Sequence, residues 1–550
     1  MNITVSELIV RFMEKLGIQH IFGMPGAHIL PVYDQIYHSS IQSILVKHEQ
    51  GASFMAGGYA RASGGISACI TTAGPGATNL VTGVANAFAD KQPILVITGE
   101  TSTHIFGKGG LQESSGEGGS IDQSALFSGI TKYHKIIERT DYLGNVLNRV
   151  AKILLSPNSG PVMLSIPYNV QKELVDESVL DVVKTRKHFS AVRETSFQIH
   201  EIVDLIAHAK APVIVAGYGC VMADAQTLVD GLSEQLSIPV TTSLKAKGVI
   251  SEQSGRSLGS LGVTSSGFAY QYIVEQADLI IFLGAGFNER TSYVWNENLL
   301  RNKKIIQIDQ DPEQLEKVFK ADVAIHGDIK TVLTGVVELV DDRALVGKEL
   351  ALNDWRSEQD AASIFKPDQF SLVEQFYHQL EQKVTEDILI FDDNIIFAQN
   401  FYQVSRGNRY YPNSGISSLG HAIPAAIGAR FSQDKPVFAI LGDGGFQMCC
   451  MELMTAANYN IPITVIMFSN ATMGLIRKNQ HQQYDERFID CDFVNPDYAL
   501  LAQSFGLQYF HVTDEKSLSS LFTEADFNQQ SNLVELVIDK DAFPNYISRR

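Results

Sequence analysis

The sequence predicts an α/β protein of three doubly wound parallel-sheet domains, and three observations carry that prediction. Short apolar runs of strand length alternate with segments whose apolar residues recur every three or four positions, the order of βαβ units. Two polar, charged stretches, Lys172 to Glu194 and Asp341 to Pro367, lack this periodicity and divide the 550 residues into blocks at 1–180, 190–340 and 360–550. Small or polar residues stand directly after the apolar runs, at what would be the carboxyl ends of strands, where open parallel sheets bind ligands.

Taken in order, Val5 to Leu16 reads as a helix, because Val5, Leu8, Ile9, Phe12, Met13 and Leu16 share one face, and Gly17 stops it. Ile21 to Gly23 is a strand leading into the turn Met24-Pro25-Gly26. Ile44 to Val46 is a second, ending at His48-Glu49. Ser67 to Thr72, Ile94 to Gly99 and Pro161 to Pro167 complete the strands read in the first block, the third of the five ending at Ala73-Gly74-Pro75-Gly76. From Ser196 the second block offers Val213 to Val215, Ile238 to Thr241, Leu279 to Gly284 and Ile305 to Asp309. The third offers Ile388 to Phe391, Val437 to Leu441, Thr464 to Phe468 and Leu533 to Ile538. No short fixed period recurs, which excludes a solenoid.

Lys plus Arg is 43 and Asp plus Glu 61, a formal net charge of −18, with 45% hydrophobic and 19% charged residues. These values exclude a disordered chain and argue against nucleic acid as a partner, which requires a basic face. No apolar run reaches the ~18 to 20 residues that span a bilayer, so no membrane partner is expected. The first residues lack the basic and apolar regions of a signal peptide. Cys69, Cys220, Cys449, Cys450 and Cys491 are odd in number and form no CxxC pair. Free thiols in the cytoplasm are expected, and zinc is not.

The chemistry concentrates in the third block. Gly442-Asp443-Gly444 directly follows the strand Val437 to Leu441 and opens a helix with apolar positions Phe446, Met448, Leu453 and Met454. Asn470 directly follows the strand Thr464 to Phe468. Neighbouring strands thus bring a carboxylate and an amide to one sheet edge, which suits Mg²⁺ and a diphosphate: the ion takes hard oxygen ligands and shares phosphate oxygens, and Gly444 lets a phosphate approach the backbone.

With its spaced asparagine, this motif resembles the signature of thiamin-diphosphate enzymes, most closely that of the acetolactate synthase large subunit and its relatives. The resemblance covers essentially the whole chain. Phe22 to Asp34, His48-Glu49, Gly58 to Arg61, Gly74 to Asn79 and Ile130 to Tyr133 resemble the family's pyrimidine-binding domain. Leu283-Gly284-Ala285 and Ile308 to Pro312 resemble its central domain, and Ala422 to Ala429 its diphosphate-binding domain. The resemblance implies that thiamin diphosphate and Mg²⁺ are cofactors and that Glu49 exchanges a proton with the aminopyrimidine ring. It further implies that Asp443, Asn470 and the carbonyl of Thr472 ligate the metal. Ser417 would accept from the pyrimidine amine and Leu419 would bend the cofactor, while Gly442, Gly444, Gly445, Met473 and Gly474 complete its binding. Active sites of this family lie between subunits, so a homodimer or homotetramer is implied.

The implied reaction is decarboxylation of pyruvate or a related 2-oxo acid and ligation to an acceptor. His28, in a Gly-Ala-His run that resembles benzaldehyde lyase, and the pocket residue Gln112 leave an acyloin lyase or carboligase open, as well as a plain decarboxylase and a flavin-linked oxidase. Asn479 stands where biosynthetic acetolactate synthases carry a tryptophan. The Gly/Ser/Glu-rich run Glu113 to Ser120 reads as a flexible loop. Gly217-Tyr218-Gly219 and Arg290 partly match flavin contacts, but Val263-Thr264-Ser265 and Gly284 to Phe287 depart from the pattern, so weak or absent FAD is expected.

Overall fold

The computed structural model describes residues 1–185, 196–347, 364–405 and 407–546. Three sheets of six parallel strands organise them. After a short β1 (Asn2–Thr4), the first sheet comprises β2 (His20–Gly23), β3 (Gln42–Leu45), β4 (Ser67–Thr71), β5 (Ile94–Glu100), β6 (Tyr133–Ile136) and β7 (Val162–Pro167), in the order β3-β2-β4-β5-β7-β6. β8 (Leu174–Asp176) returns to pair antiparallel with β1. The second sheet holds β9 (Pro212–Ala216), β10 (Val240–Thr242), β11 (Ser257–Ser260), β12 (Leu279–Leu283), β13 (Lys304–Asp309) and β14 (Val323–His326), ordered β11-β10-β9-β12-β13-β14. The third holds β15 (Leu389–Asp392), β16 (Arg409–Pro412), β17 (Val437–Gly442), β18 (Thr464–Ser469), β19 (Gln508–Val512) and β20 (Asn532–Val537), ordered β16-β15-β17-β18-β20-β19.

Strand side chains alternate between two helix layers, as a sheet covered on both faces requires. In the first sheet Ile21, Ala68, Ile70, Leu95, Ile97 and Leu164 pack with Leu8, Phe12 and Val150. Phe22, Ile44, Cys69, Val96 and Met163 face the other way, into a core continuous with Ala425, Leu441 and Phe446 of the third domain. The seam of that shared core is the crossing of helix Glu49–Ser63 with helix Ala422–Arg430. A Cβ on Gly58 would overlap the carbonyl of Ala425, and one on Gly428 would overlap the carbonyl of Met55. Glycine at both positions lets the backbones touch.

The first helix forms as predicted, Val5–Lys15 capped by Thr4, with Gly17 at φ +78° after it. Two expectations need correction, and a third falls mostly outside the described residues. The stretch from Lys172 is not wholly a linker: β8 and the 3₁₀ turn Glu177–Val182 are part of the first domain, and 186–194 lie outside the described residues. The Asp341 to Pro367 stretch is described only at its ends. The helix opened at Asp443 ends at Cys449, and a 3₁₀ turn, Cys450–Glu452, breaks it from helix Leu453–Asn458. Met448 is consequently not a core position but 61% exposed.

Candidate active site

At the carboxyl edge of the third sheet, Gly442 of β17 pairs with Phe468 of β18, so Asp443 and Asn470 leave adjacent strands side by side. Asp443 is buried. Its Oδ2 accepts from the backbone N–H of Asn470 (2.9 Å) and Ala471 (2.6 Å) and from Asn495 Nδ2 (2.9 Å), while Oδ1 accepts from Gly444 N (3.0 Å). Hydrogen bonds to a charged acceptor each contribute about 1.5–3 kcal/mol. Three of them converge on Oδ2, fixing the carboxylate in one orientation. The turn behind it is pinned by the carbonyl of Cys491, which accepts from Met473 N (2.7 Å) and Thr472 Oγ1 (2.9 Å). Asn470 Oδ1 accepts from Thr472 N at 3.3 Å.

This arrangement fits a Mg²⁺-bound diphosphate. One carboxylate, one amide oxygen and the backbone carbonyl at Thr472 are hard oxygen donors. Among the described residues there is no competing cluster of three or more His, Cys, Asp or Glu. Gly444 leaves a cradle that a Cβ would fill, lying 3.0 Å from Met473 Sδ. A Cβ on Gly474 would meet Asn470 Nδ2 at 3.1 Å, and one on Gly445 would meet Asp393 Oδ2 at 3.4 Å.

Ser417 and Leu419 sit on a separate turn at the end of β16. Ser417 is exposed at φ +58°, a strained conformation for a serine, and Leu419 is half-buried rather than a core residue. Asp393, directly after β15, ties this turn down: its carboxylate accepts from Gly420 N (2.7 Å) and Ala422 N (2.9 Å). Burial pushes its carboxyl up to about 7.

The first sheet presents Glu49, His28 and Gln112 at its own carboxyl edge. Glu49 is the first residue of helix Glu49–Ser63, half-buried, and accepts from Asn79 Nδ2 at 2.9 Å. His28 Nδ1 lies 3.3 Å from Gln112 Oε1, which also accepts from Thr72 Oγ1 (3.3 Å). Gly99 allows the contact beneath them, since a Cβ there would press on the His28 backbone. The run after Gln112 begins at an anchored residue. Glu113 accepts from the N–H groups of Gly107 (2.5 Å), Gly110 (2.9 Å) and Gly109 (3.0 Å) and from Ser115 Oγ (2.8 Å), which hold its carboxyl below the usual range. Buried Glu100, at the end of β5, accepts from Thr101 N (2.7 Å) and Ser114 N (3.0 Å), and burial pushes it up to about 7.

Asn495, Asp393, Glu100 and Thr72 escaped the sequence reading. Asp393 and Glu100 stand directly at or after strand ends, the placement that had singled out Asp443, and were legible by that rule. Asn495 comes from a segment without regular structure and carried no such signal.

Family models of thiamine pyrophosphate enzymes match the chain in three places: the N-terminal TPP binding domain over residues 3–125, the central domain over 199–336 and the C-terminal TPP binding domain over 394–536. The chain belongs to the thiamine pyrophosphate enzyme family. Within it, the chain is 31% identical to a probable acetolactate synthase large subunit of Methanococcus aeolicus and 32% to that of Methanocaldococcus jannaschii. It is 31% identical to the acetolactate synthase large subunit of Lactococcus lactis subsp. lactis. Each alignment covers 97% of this chain and 92% of the relative.

Proposed function

We propose that this protein is a decarboxylating carboligase that takes pyruvate or a related 2-oxo acid and joins it to a second carbonyl compound, as an acetolactate synthase. The observation that carries the reading is its near full-length similarity to acetolactate synthase large subunits. The pairing of Glu49 on one sheet edge with Asp443 and Asn470 on another supports it.

When bound, thiamin diphosphate supplies an electron sink next to the carbonyl carbon. The protein's part is to bind, orient and move protons. Asp443, Asn470 and the carbonyl of Thr472 would hold Mg²⁺, and Gly442, Gly444 and Gly445 leave room for the diphosphate. Ser417 and Leu419 would fix the pyrimidine and the bend of the cofactor, with Met473 and Gly474 lining the reacting end. Glu49, oriented by Asn79, would carry a proton to and from the pyrimidine. His28 would donate to or accept from the substrate oxygen, with its ring set by Gln112.

Glu49 and Asp443 lie on different sheets, and apolar residues next in the chain to the candidate site residues are exposed: Leu111 beside Gln112, Ile416 beside Ser417, and Leu475 and Ile476 after Gly474. Such exposure beside a polar site marks an interaction surface, so a homodimer or tetramer that shares its sites is part of the proposal. Mixing Glu49→Gln and Asp443→Ala subunits should then restore activity that neither has alone; no restoration would place both groups in one chain's site. No helix among the described residues is long and apolar enough to cross a membrane, and the cysteines are free thiols, as suits the cytoplasm.

A second reading, an acyloin lyase of the benzaldehyde lyase type, is favoured by the His28–Gln112 contact. Reconstitution with thiamin diphosphate and Mg²⁺, followed by assays of acetolactate from pyruvate and of benzoin cleavage, separates the two. Weak or absent FAD is also proposed. The order of the second sheet is that of dinucleotide-binding folds, but at its switch point Gly219 N already donates to Gly284 O (3.1 Å). A stoichiometric flavin absorbance band in purified protein would overturn this.

A further inference from the structure

β3 is an edge strand, and the side facing away from β2 exposes the N–H groups of alternate residues. Val46 N turns inward to Gly23 O (3.1 Å). Leu45 and Lys47 turn outward, and both are met by side chains of the third domain, some 400 residues later. Leu45 N donates to Tyr459 Oη at 2.8 Å. Lys47 N donates to both oxygens of Glu452 (3.1 and 3.2 Å), and His48 N donates to Glu452 Oε1 at 2.9 Å. The next residue is Glu49.

Glu452 is built for this contact. It is 3% exposed on the turn Cys450–Glu452, and Thr455 Oγ1 donates to its Oε2 at 2.7 Å. Gly51 leaves the space, because a Cβ there would overlap Glu452 Oε1. A buried carboxylate that accepts three backbone and side-chain donors has one geometry available to it, and its partners share that fixity.

We propose that Glu452 is a positioning residue for Glu49: by holding the N–H groups of Lys47 and His48 it sets where the Glu49 carboxylate stands against the cofactor's pyrimidine ring. The proposal rests on the reading of Glu49 as the proton-carrying carboxylate. It assigns to the third domain a second task besides diphosphate binding, performed nine residues beyond Asp443 on the same segment.

Two measurements test it. In cofactor-free protein, hydrogen–deuterium exchange of the peptide containing residues 43–48 should speed up by about tenfold in Glu452→Ala, since local protection follows the lost bonds. In enzyme reconstituted with thiamin diphosphate and Mg²⁺, exchange of the cofactor's C2 proton should slow by about tenfold or more, with cofactor Kd changed by less than about threefold. Glu452→Gln keeps an acceptor oxygen and should recover most of both losses. Unchanged amide or C2 exchange in Glu452→Ala overturns the proposal, as does loss of C2 exchange only in step with lost cofactor binding. If Glu452→Ala does not fold, Gly51→Ala, which pushes the carboxylate off the backbone, must slow C2 exchange in the same way; full-rate exchange in that variant overturns the proposal too. Full-rate C2 exchange in Glu49→Gln would instead remove the role of Glu49, and the amide measurement would still report on the clamp.

Discussion

The first and third sheets have one strand order. Numbered within each domain, both run 2-1-3-4-6-5, whereas the second runs 3-2-1-4-5-6. The first and third nonetheless present opposite kinds of carboxylate. Asp443 is buried and met by donors on both oxygens, a fixed anion suited to a metal. Glu49 is half-buried and held by Asn79 on one oxygen, which leaves its other oxygen open to a ligand. A shared scaffold therefore says little about chemistry; the donors gathered at each strand end decide it.

The largest expected effect tests that contrast directly. Glu49→Gln should lower turnover by about 10² to 10⁴-fold yet leave Mg²⁺-dependent thiamin diphosphate binding intact by calorimetry, whereas Asp443→Ala should abolish binding itself. Equal loss of binding in both would erase the distinction. Next, His28→Ala should cost about 10²-fold in rate if its ring moves a proton, and steady-state kinetics against pyruvate would show it. Asn495→Ala removes one donor from Asp443 and should weaken Mg²⁺ affinity by about 10-fold, read from activity against Mg²⁺ concentration, with C2 proton exchange at saturating metal unchanged.

The smallest effect concerns stability. Burial holds Glu100 near 7, while the unfolded chain releases that proton at the ordinary carboxylate value. The resulting stabilisation is fully present below the ordinary value and is lost as pH rises through about 7. Melting temperature should thus fall between about pH 5 and pH 8, and Glu100→Gln should make the fall shallower. Asp392 and Asp393, also pushed to about 7, retain part of the slope.

What the sequence revealed follows a physical line. Strands covered on both faces read as continuous apolar runs, and β2, β4, β5, β7, β9, β12, β13, β15, β17, β18 and β20 were all legible that way. The strands that escaped, β6, β11, β14, β16 and β19 of the three large sheets and the β1–β8 pair, are all at sheet edges. Tyr133 to Ile136 shows why: its residues are half-buried, and His134 and Lys135 interrupt the run. Asp443 and Asn470 were legible because a strand end fixes where the next residue points. Asn495 and Glu452 were not, since each acts across a long sequence gap on a group that local pattern does not reveal. The anchoring of Glu113 was likewise not legible, since its donors are the N–H groups of Gly107, Gly109 and Gly110, glycines that stand before Gln112.

The glycine-lined crossing of helix Glu49–Ser63 with helix Ala422–Arg430 has a further consequence. Each helix follows the second strand of its own domain, so the two like-ordered sheets meet through equivalent elements, as the halves of a pseudo-twofold pair do. One chain thus carries internally the kind of interface that symmetric dimers build from two. Gly58→Ala or Gly428→Ala would then behave as an interface lesion within a single polypeptide, prising apart two domains that linkers still tether, and Glu452 would lose its hold on the strand end before Glu49.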